Sequence, residues 1–196
     1  MQKKAPPTEA PRRRDAQATQ AAILAAAQLL FSQRGYDGVG TREIADRAGC
    51  NVALISRYFG PKPELFRAAL RGCVDFGPLL ALPREQFAEA VADHILGKQK
   101  HPDTPDPMFV ALRSSTSPDA TRVVREELSD RMTEALATYL GGGDAAQEMA
   151  ALILSLMAGF DVGRHLIGNA ALEASRNDRL RPRLAAAIGA LLGPED

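Results

Sequence analysis

The amino-acid sequence predicts an all-α protein, and three observations support this. Apolar residues recur every three or four positions along most of the 196 residues, as they do on one face of a helix. No segment alternates apolar and polar residues between turn signals, as a half-buried strand does. Hydrophobic residues make up 45% of the chain, which is enough for a packed core. Glycines and prolines interrupt the pattern between Gly77 and Pro83, so we expect two domains.

The predicted domains are a flexible basic tail over residues 1–18, an N-terminal domain over 19–75 and a C-terminal domain over 76–196. The tail is assigned from its Pro, Lys, Arg and Gln content, which is typical of segments that do not fold. The first helix follows from Thr19 to Arg34. Its apolar face is formed by Ile23, Leu24, Ala27, Leu30 and Phe31.

Two short helices joined by a tight turn are predicted between Thr41 and Lys62. Thr41 has a hydroxyl suited to the N-cap of the first of these helices. Gly49 supplies the left-handed backbone that ends it, and Asn51 is placed to cap a second helix, Val52 to Phe59. This arrangement predicts a helix-turn-helix.

The outward face of the second helix is predicted to contact DNA. Its side chains are small, polar or cationic, so the helix can enter a major groove about 12 Å wide and contact base edges. Donors on both sides of this face lie where phosphates would be. The predicted DNA-binding residues are Thr41, Arg42, Asn51, Val52, Ala53, Ser56, Arg57, Tyr58 and Lys62.

The distribution of charge agrees with DNA binding at one end of the chain. The net charge is zero, yet residues 1–75 hold 12 Lys and Arg against 7 Asp and Glu, and residues 76–196 hold 12 against 17. A cationic domain next to an anionic one favours approach to DNA through the first. The tail residues Arg12 to Arg14 either touch phosphates or the minor groove, or are solvated without a fixed role.

The run AGCNVALISRYFGPKPELFRAAL, preceded by FSQRGYDGVGTREIADR, resembles the DNA-binding domain of the tetracycline-repressor (TetR) family of transcriptional regulators. The resemblance covers Thr19 to Leu70. Ser56 stands where many members have a tyrosine within the recognition helix, and Val52 and Ala53 stand where a lysine and a glycine or small polar residue are frequent. The resemblance therefore implies the fold but not the operator sequence.

Five further helices are predicted in the C-terminal domain. They are Arg84 to Leu96, Pro107 to Ser114, a helix capped by Ser117 that runs to Leu140, Ala145 to Ala174, and Arg181 to Leu192. The TetR resemblance implies a small apolar effector inside this domain, although a stripe of Met and aromatic residues is more often packed core. The candidate ligand-binding residues are Met108, Phe109, Leu112, Met132, Leu136, Phe160 and Arg164. Arg164 would meet the effector or pair with Asp161, one turn away.

A two-fold dimer is predicted from the last two helices. The helix that begins at Ala145 has apolar residues around nearly its whole circumference, so one side needs a partner. Glycines on it allow close approach of a second helix. The candidate dimerisation residues are Leu152, Leu156, Gly159, Gly163, Leu184, Ile188 and Leu191.

Sequence motifs for catalysis are absent. The histidines and cysteines lack metal-ligand or CxxC spacing, and no phosphate-binding glycine loop occurs, so we expect no enzyme, cofactor or metal. Without a secretory leader or a bilayer-spanning apolar segment, we expect a cytoplasmic protein that does not enter membranes. The leading prediction is a ligand-responsive repressor that binds a palindromic double-stranded DNA operator as a homodimer and is released from it by a small apolar effector. The alternative is a helical small-molecule carrier or sensor that does not bind DNA specifically.

Overall fold

The computed structural model describes residues 10–73, 76–98 and 105–193, with side chains from Asp15 onward. This part of the chain is helical and contains no strand, which confirms the all-α prediction. The helices are α1 (Ala10–Arg34), α2 (Thr41–Ala48), α3 (Val52–Phe59), α4 (Lys62–Gly72), α5 (Gly77–Leu80), α6 (Arg84–Gly97), α7 (Pro107–Arg113), α8 (Pro118–Val124), α9 (Arg131–Tyr139), α10 (Gly143–Asp161) and α11 (Asn177–Leu192).

The chain forms two compact units. The first unit is Met1–Cys73 with Pro105–Val123, and the second is Val74–Thr104 with Val124–Asp196. Residues 105–123, which we assigned to the C-terminal domain, therefore cluster with the N-terminal helices.

The core of the first unit is built from α1, α2 and α4. Ile23, Phe31, Ile44, Leu65 and Phe66 have no more than 1% of their surface exposed. Phe66 lies edge-on to Phe31, with ring centroids 5.0 Å apart. Such packing fixes the short helices, which would be only marginally stable alone.

Helix α1 begins earlier than the sequence indicated. It starts at Ala10 rather than Thr19, so the flexible tail predicted for residues 1–18 is wrong for residues 10–18. Pro11 lies in the first turn, where its missing N–H removes no helical hydrogen bond. Residues 1–9 and the side chains of Arg12, Arg13 and Arg14 lie outside the part described.

The second unit packs α6, α9, α10 and α11 around one apolar core. Phe87, Val91, Ile95, Ile153 and Ile188 are fully buried there. The guanidinium of Arg84 satisfies two carbonyl groups at helix ends in this unit. It donates to the carbonyl oxygens of Leu140 and Leu192 at 3.3 and 2.8 Å.

Helix ends in this unit differ from the prediction. Helix α10 ends at Asp161 and a π-helical turn follows, Val162–Leu166, so the predicted end at Ala174 is wrong. Gly168 has φ +71°, a left-handed conformation that stops the helix. The helix that we predicted from Ser117 to Leu140 is helical without a break from Pro118 to Tyr139, and a second π-helical turn, Arg125–Asp130, lies within it between α8 and α9.

One helical segment, Gly143–Leu166, has the length and apolar composition of a membrane span. A third of its most apolar window is buried within the protein, and core helices of soluble proteins meet the same criteria. Its buried residues Ala146, Ala150, Ile153 and Met157 belong to the core of the second unit. The inner face of α10 is therefore already occupied by protein.

Candidate nucleic-acid interface

The turn between α2 and α3 has the predicted geometry. Gly49 adopts φ 65° and ψ 35°, the left-handed conformation that most favours glycine. Its N–H donates to the Asp46 carbonyl at 3.2 Å, and the N–H of Cys50 donates to the Ala45 carbonyl at 3.0 Å. These two bonds satisfy carbonyls at the end of α2 and fix the direction in which α3 leaves.

The caps of the two helices have different origins. The side-chain oxygen of Asn51 accepts the N–H of Ala53 at 2.8 Å, which confirms Asn51 as the N-cap of α3. The predicted N-cap role of Thr41 is wrong. Gly40 is the N-cap of α2, and no side chain caps this helix. Thr41 is the first helical residue, so its hydroxyl lies one position too late to accept the free N–H groups of the first turn.

Burial sets which face of α3 is presented to solvent. Ile55 is 1% exposed and packs in the first unit, and Leu54 and Phe59 are half-buried beside it. The opposite face is exposed, as the spacing predicted. It consists of Asn51, Val52, Ala53, Ser56 and Arg57.

The cationic and hydroxyl side chains on and beside this face differ in solvent exposure. Arg42 and Arg57 are exposed, whereas Thr41, Tyr58 and Lys62 are half-buried. The ammonium of Lys62 lies 4.1 Å from the centroid of the Tyr36 ring. Burial lowers the pKa of Lys62, and the carboxylate of Asp37 opposes that shift. Lys62 is thus held in one place at the start of α4, immediately after α3.

The seven predicted ligand-binding residues fall in both units. Met108, Phe109 and Leu112 lie on α7 in the first unit, where Phe109 is buried and Leu112 is 43% exposed. The other four residues lie in the second unit. Phe160 is part of its core, and Arg164 donates to Asn177 at 3.1 Å. Asp161 pairs with Lys98, and no ion pair between Asp161 and Arg164 is found among the described residues.

Met132 and Leu136 line a cavity of about 180 Å³ within the second unit. The sequence did not indicate the remaining lining residues, which are Phe76, Gly77, Leu80, Arg131, Ala135 and Leu154. A signal was present, because Arg131, Met132, Ala135 and Leu136 occupy one face of α9 at helical spacing. Arg131 contributes the charge at this site, and its Nε lies 3.4 Å from a carboxylate oxygen of Glu127.

The predicted dimerisation residues divide into exposed and buried groups. Leu152 is 54% exposed and Gly159 is exposed on α10, while Leu156, Gly163 and Leu191 are half-buried. Leu184 and Ile188 are 8% and 0% exposed because they pack in the core of their own unit. We therefore remove these two residues from the predicted dimer surface. In the C-terminal half of α11 the exposed residues are Ala186, Ala187 and Ala190.

An all-α protein with an exposed recognition helix after a glycine turn is a helix-turn-helix DNA-binding protein in class. Comparison with known families agrees with this class. Residues 23–69 match the model described as "Bacterial regulatory proteins, tetR family", and residues 85–192 match "Tetracyclin repressor-like, C-terminal domain". The chain belongs to the TetR family of transcriptional regulators.

Individual relatives agree with this assignment. The chain is 39% identical over 87 residues to the transcriptional regulator RutR of Escherichia coli, covering 43% of this chain and 41% of RutR. It is 43% identical over 53 residues to the transcriptional activator FasR of Mycolicibacterium smegmatis, covering 27% and 24%. The matches thus span less than half of either relative. The structure of NalD, a repressor of Pseudomonas aeruginosa, shares the fold with a TM-score of 0.65 and 16% identity, over 90% of this chain and 97% of NalD.

The family consists of DNA-binding regulators and not of enzymes, as the sequence predicted. Its members bind DNA operators and small-molecule effectors as dimers.

Proposed function

We propose that this protein is a cytoplasmic, ligand-responsive transcriptional regulator that binds a palindromic operator as a homodimer. The exposed face of α3 carries this proposal. It offers one cation, two polar side chains and two small apolar side chains without an acidic group, on a helix fixed by Gly49 and Asn51. Asn51 and Ser56 supply hydrogen-bonding groups for base edges, while Val52 and Ala53 allow close approach.

A dimer fits operator binding, because two copies of α3 contact half-sites about 34 Å apart on one side of the duplex. The exposed side of α10, with Leu152, Ser155 and Gly159, is the surface proposed for the partner. Family membership supports the dimer.

We propose repression as the mode of action. NalD is named a repressor, but FasR is named an activator. A transcription assay with and without the protein distinguishes repression from activation.

Ala53→Glu tests the DNA-binding proposal. The exposed Ala53 would become a long anion on the face opposite the bases, so we expect specific binding to DNA flanking the protein's own coding region to be lost. Ala25→Glu is the matched control, because Ala25 is an exposed alanine on α1 and receives the same charge. Fluorescence anisotropy measures both variants. Equal operator affinity of folded Ala53→Glu and wild-type protein would contradict the proposal.

The cavity in the second unit is the proposed effector site. Its walls are mainly apolar, and its volume of about 180 Å³ lies below the roughly 300 to 1,000 Å³ of pockets for drug-sized ligands. A small, largely apolar effector therefore fits best. Ala135 lines the cavity yet is exposed, so Ala135→Trp should fill the cavity without disturbing the core.

Ala135→Trp is expected to bind DNA normally and to lose any effector response, whereas Thr138→Trp, exposed on the same helix outside the cavity wall, should keep it. Thermal shift across a panel of small apolar compounds finds the effector. The carrier alternative predicts thermal shifts with only salt-labile, non-specific DNA binding. Effector-induced release of a specific operator would exclude that alternative.

A further inference from the structure

The ammonium of Lys62 is positioned by a chain of contacts that begins outside the helix-turn-helix. Lys62 is the first residue of α4 and follows α3 after only Gly60 and Pro61. Its ammonium lies over the Tyr36 ring at 4.1 Å from the centroid, a cation–π geometry that restrains an otherwise flexible side chain. The position of this cation therefore depends on where Tyr36 is held.

The Tyr36 ring is fixed on its other sides by aromatic packing. Phe31 stacks on it with ring centroids 6.1 Å apart, and Phe66 meets it edge-on at 5.0 Å. Tyr36 is 6% exposed, and burial raises the pKa of its hydroxyl. The ring thus belongs to the core of the first unit and presents one face to Lys62.

The backbone of Tyr36 is held by the end of α7. Its N–H donates to the hydroxyl oxygen of Ser114 at 3.0 Å, and Ser114 is 1% exposed. Gly35 has φ +70°, and a Cβ at that position would lie 2.3 Å from the carbonyl oxygen of Arg113. The turn after α1 and the end of α7 are therefore in close contact, and glycine is required there.

Helix α7 is also anchored to the last turn of α1 through Ser32. The Asp106 N–H, just before α7, donates to the Ser32 hydroxyl at 3.3 Å, and the Arg113 guanidinium donates to the Ser32 carbonyl. Both ends of α7 therefore bond to one residue, Ser32, which is 8% exposed. This makes α7 a fixed support for Tyr36.

We propose that Tyr36 and Ser114 are positioning residues for DNA binding: Ser114 fixes the turn that carries Tyr36, and the Tyr36 ring holds the Lys62 ammonium ready to meet a DNA phosphate. This inference rests on the proposed DNA-binding function. Neither residue needs to touch DNA. A displacement of α7 would change the affinity for all DNA sequences alike, because a phosphate contact carries no sequence information.

The test measures the salt dependence of DNA affinity for variants of the full-length protein. Lys62→Ala should reduce the slope of log K against log salt by about 0.9, as the loss of one phosphate contact does. Tyr36→Leu removes the aromatic face and should give a similar decrease in the slope. Tyr36→Phe keeps the aromatic face and should have the same slope as the wild-type protein. Ser114→Ala should lower the slope part of the way.

A double-mutant cycle separates positioning from general destabilisation. In a Lys62→Ala background, Tyr36→Leu and Ser114→Ala should cause no further loss of DNA affinity, because the cation that they position is gone. Circular dichroism and melting temperature identify variants that are folded at the assay temperature. If Tyr36→Leu does not fold, Ser114→Ala and Tyr36→Phe still decide the matter.

Additive losses in the double variants, or an unchanged slope in folded Ser114→Ala, would overturn the inference. Failure of the wild-type protein to bind any operator would instead contradict the proposed function. The two failures are therefore distinguishable.

Discussion

At the scale of single residues, the guanidinium of Arg42 beside the recognition helix should position the protein on DNA without selecting the base sequence. Arg42 is exposed on α2, outside the α3 face that would meet base edges. Arg42→Ala should weaken binding to specific and non-specific DNA by the same factor and lower the salt slope by about 0.9. Titrations at several salt concentrations measure this. A changed order of preference among operators would assign Arg42 a base contact instead.

Residues on α3 should behave in the opposite way. Ser56→Ala removes one hydroxyl from the exposed face and leaves the charge unchanged. We expect about 0.5 to 1.5 kcal/mol less discrimination at the contacted base pair, the value of one hydrogen bond, and an unchanged salt slope. Binding selections from a randomised operator library measure the preference at each position. Identical preferences for the variant and the wild-type protein would place Ser56 away from the bases.

Cys73 provides a prediction about pH. Burial, assisted by Asp106, raises the pKa of the Cys73 thiol to about 11, whereas the unfolded thiol ionises near 9.0. The unfolded state therefore loses its proton first as pH rises. The contribution of this thiol to the free energy of unfolding is intact below pH 9 and decreases between pH 9 and 11. We expect a loss of about 1 to 2 kcal/mol, since the thiol is only partly buried.

Chemical denaturation of wild-type protein and Cys73→Ala at pH 8 and pH 10.5 measures this effect. The difference between the two proteins should shrink at the higher pH, because the variant has no thiol to ionise. A pH-independent difference would contradict the assignment.

At the scale of elements, the turn between α2 and α3 depends on one backbone conformation. Gly49 has φ 65°, and a Cβ there would meet no atom within 4 Å, so the cost of Gly49→Ala is purely conformational. We expect about 1 to 2 kcal/mol of destabilisation. Gly40 is the matched control, since it has φ −93° and equally open surroundings. Gly40→Ala should cost less, about 0.5 to 1 kcal/mol, because alanine adopts this backbone without strain although it is a poorer N-cap than glycine.

Urea unfolding of both variants measures the difference. Equal stability of the two variants would mean that the turn tolerates a left-handed alanine.

The same turn explains why the helix-turn-helix was predictable from sequence. Local signals at Gly49 and Asn51 are short-range, and both were confirmed. The cap at Thr41 was wrong by one position, because threonine and the extended Gly40 before it are both plausible caps. The end of α10 was missed although Gly168 and Asn169 form a recognised stop signal, since alanines and Leu172 continue the apolar pattern beyond them.

Other features carried no local signal. The two π-helical turns add a residue to a helical turn without a distinctive sequence, and the contact between Ser114 and Tyr36 joins positions 78 residues apart. For the same reason, only two of the eight residues that line the candidate effector site were among the predicted ligand-binding residues. Met132 and Leu136 were found from helical spacing, whereas Phe76 and Leu80 enter the wall from a distant element that only the folded unit reveals.

At the scale of the whole molecule, the predicted dimer distinguishes surface residues from core residues. Leu152 is 54% exposed on α10, so Leu152→Glu should leave the protomer folded and give monomers with much weaker operator affinity. Leu112→Glu is the control, because Leu112 is 43% exposed on α7 in the other unit. Sedimentation at micromolar concentration, with circular dichroism, measures association and folding.

Ile188→Ala completes this comparison. Its side chain is fully buried within the second unit, and we expect about 2 to 5 kcal/mol of destabilisation of the protomer itself. A folded Leu152→Glu variant that remains dimeric would place the interface elsewhere. A wild-type protein that sediments as a monomer would contradict the dimer altogether.

The first unit is discontinuous in the chain, and this has a consequence for synthesis on the ribosome. The partners of Ser32 and Tyr36 lie at residues 106–114, so the DNA-binding unit lacks these bonds until that stretch has emerged. Helices α5 and α6, which belong to the other unit, are translated in between. The nascent N-terminal helices therefore lack the contacts of α7 while α5 and α6 are being synthesised. A protein fragment that ends at residue 75 would lack these bonds permanently, so we expect its DNA-binding unit to be less stable than that of the full-length chain.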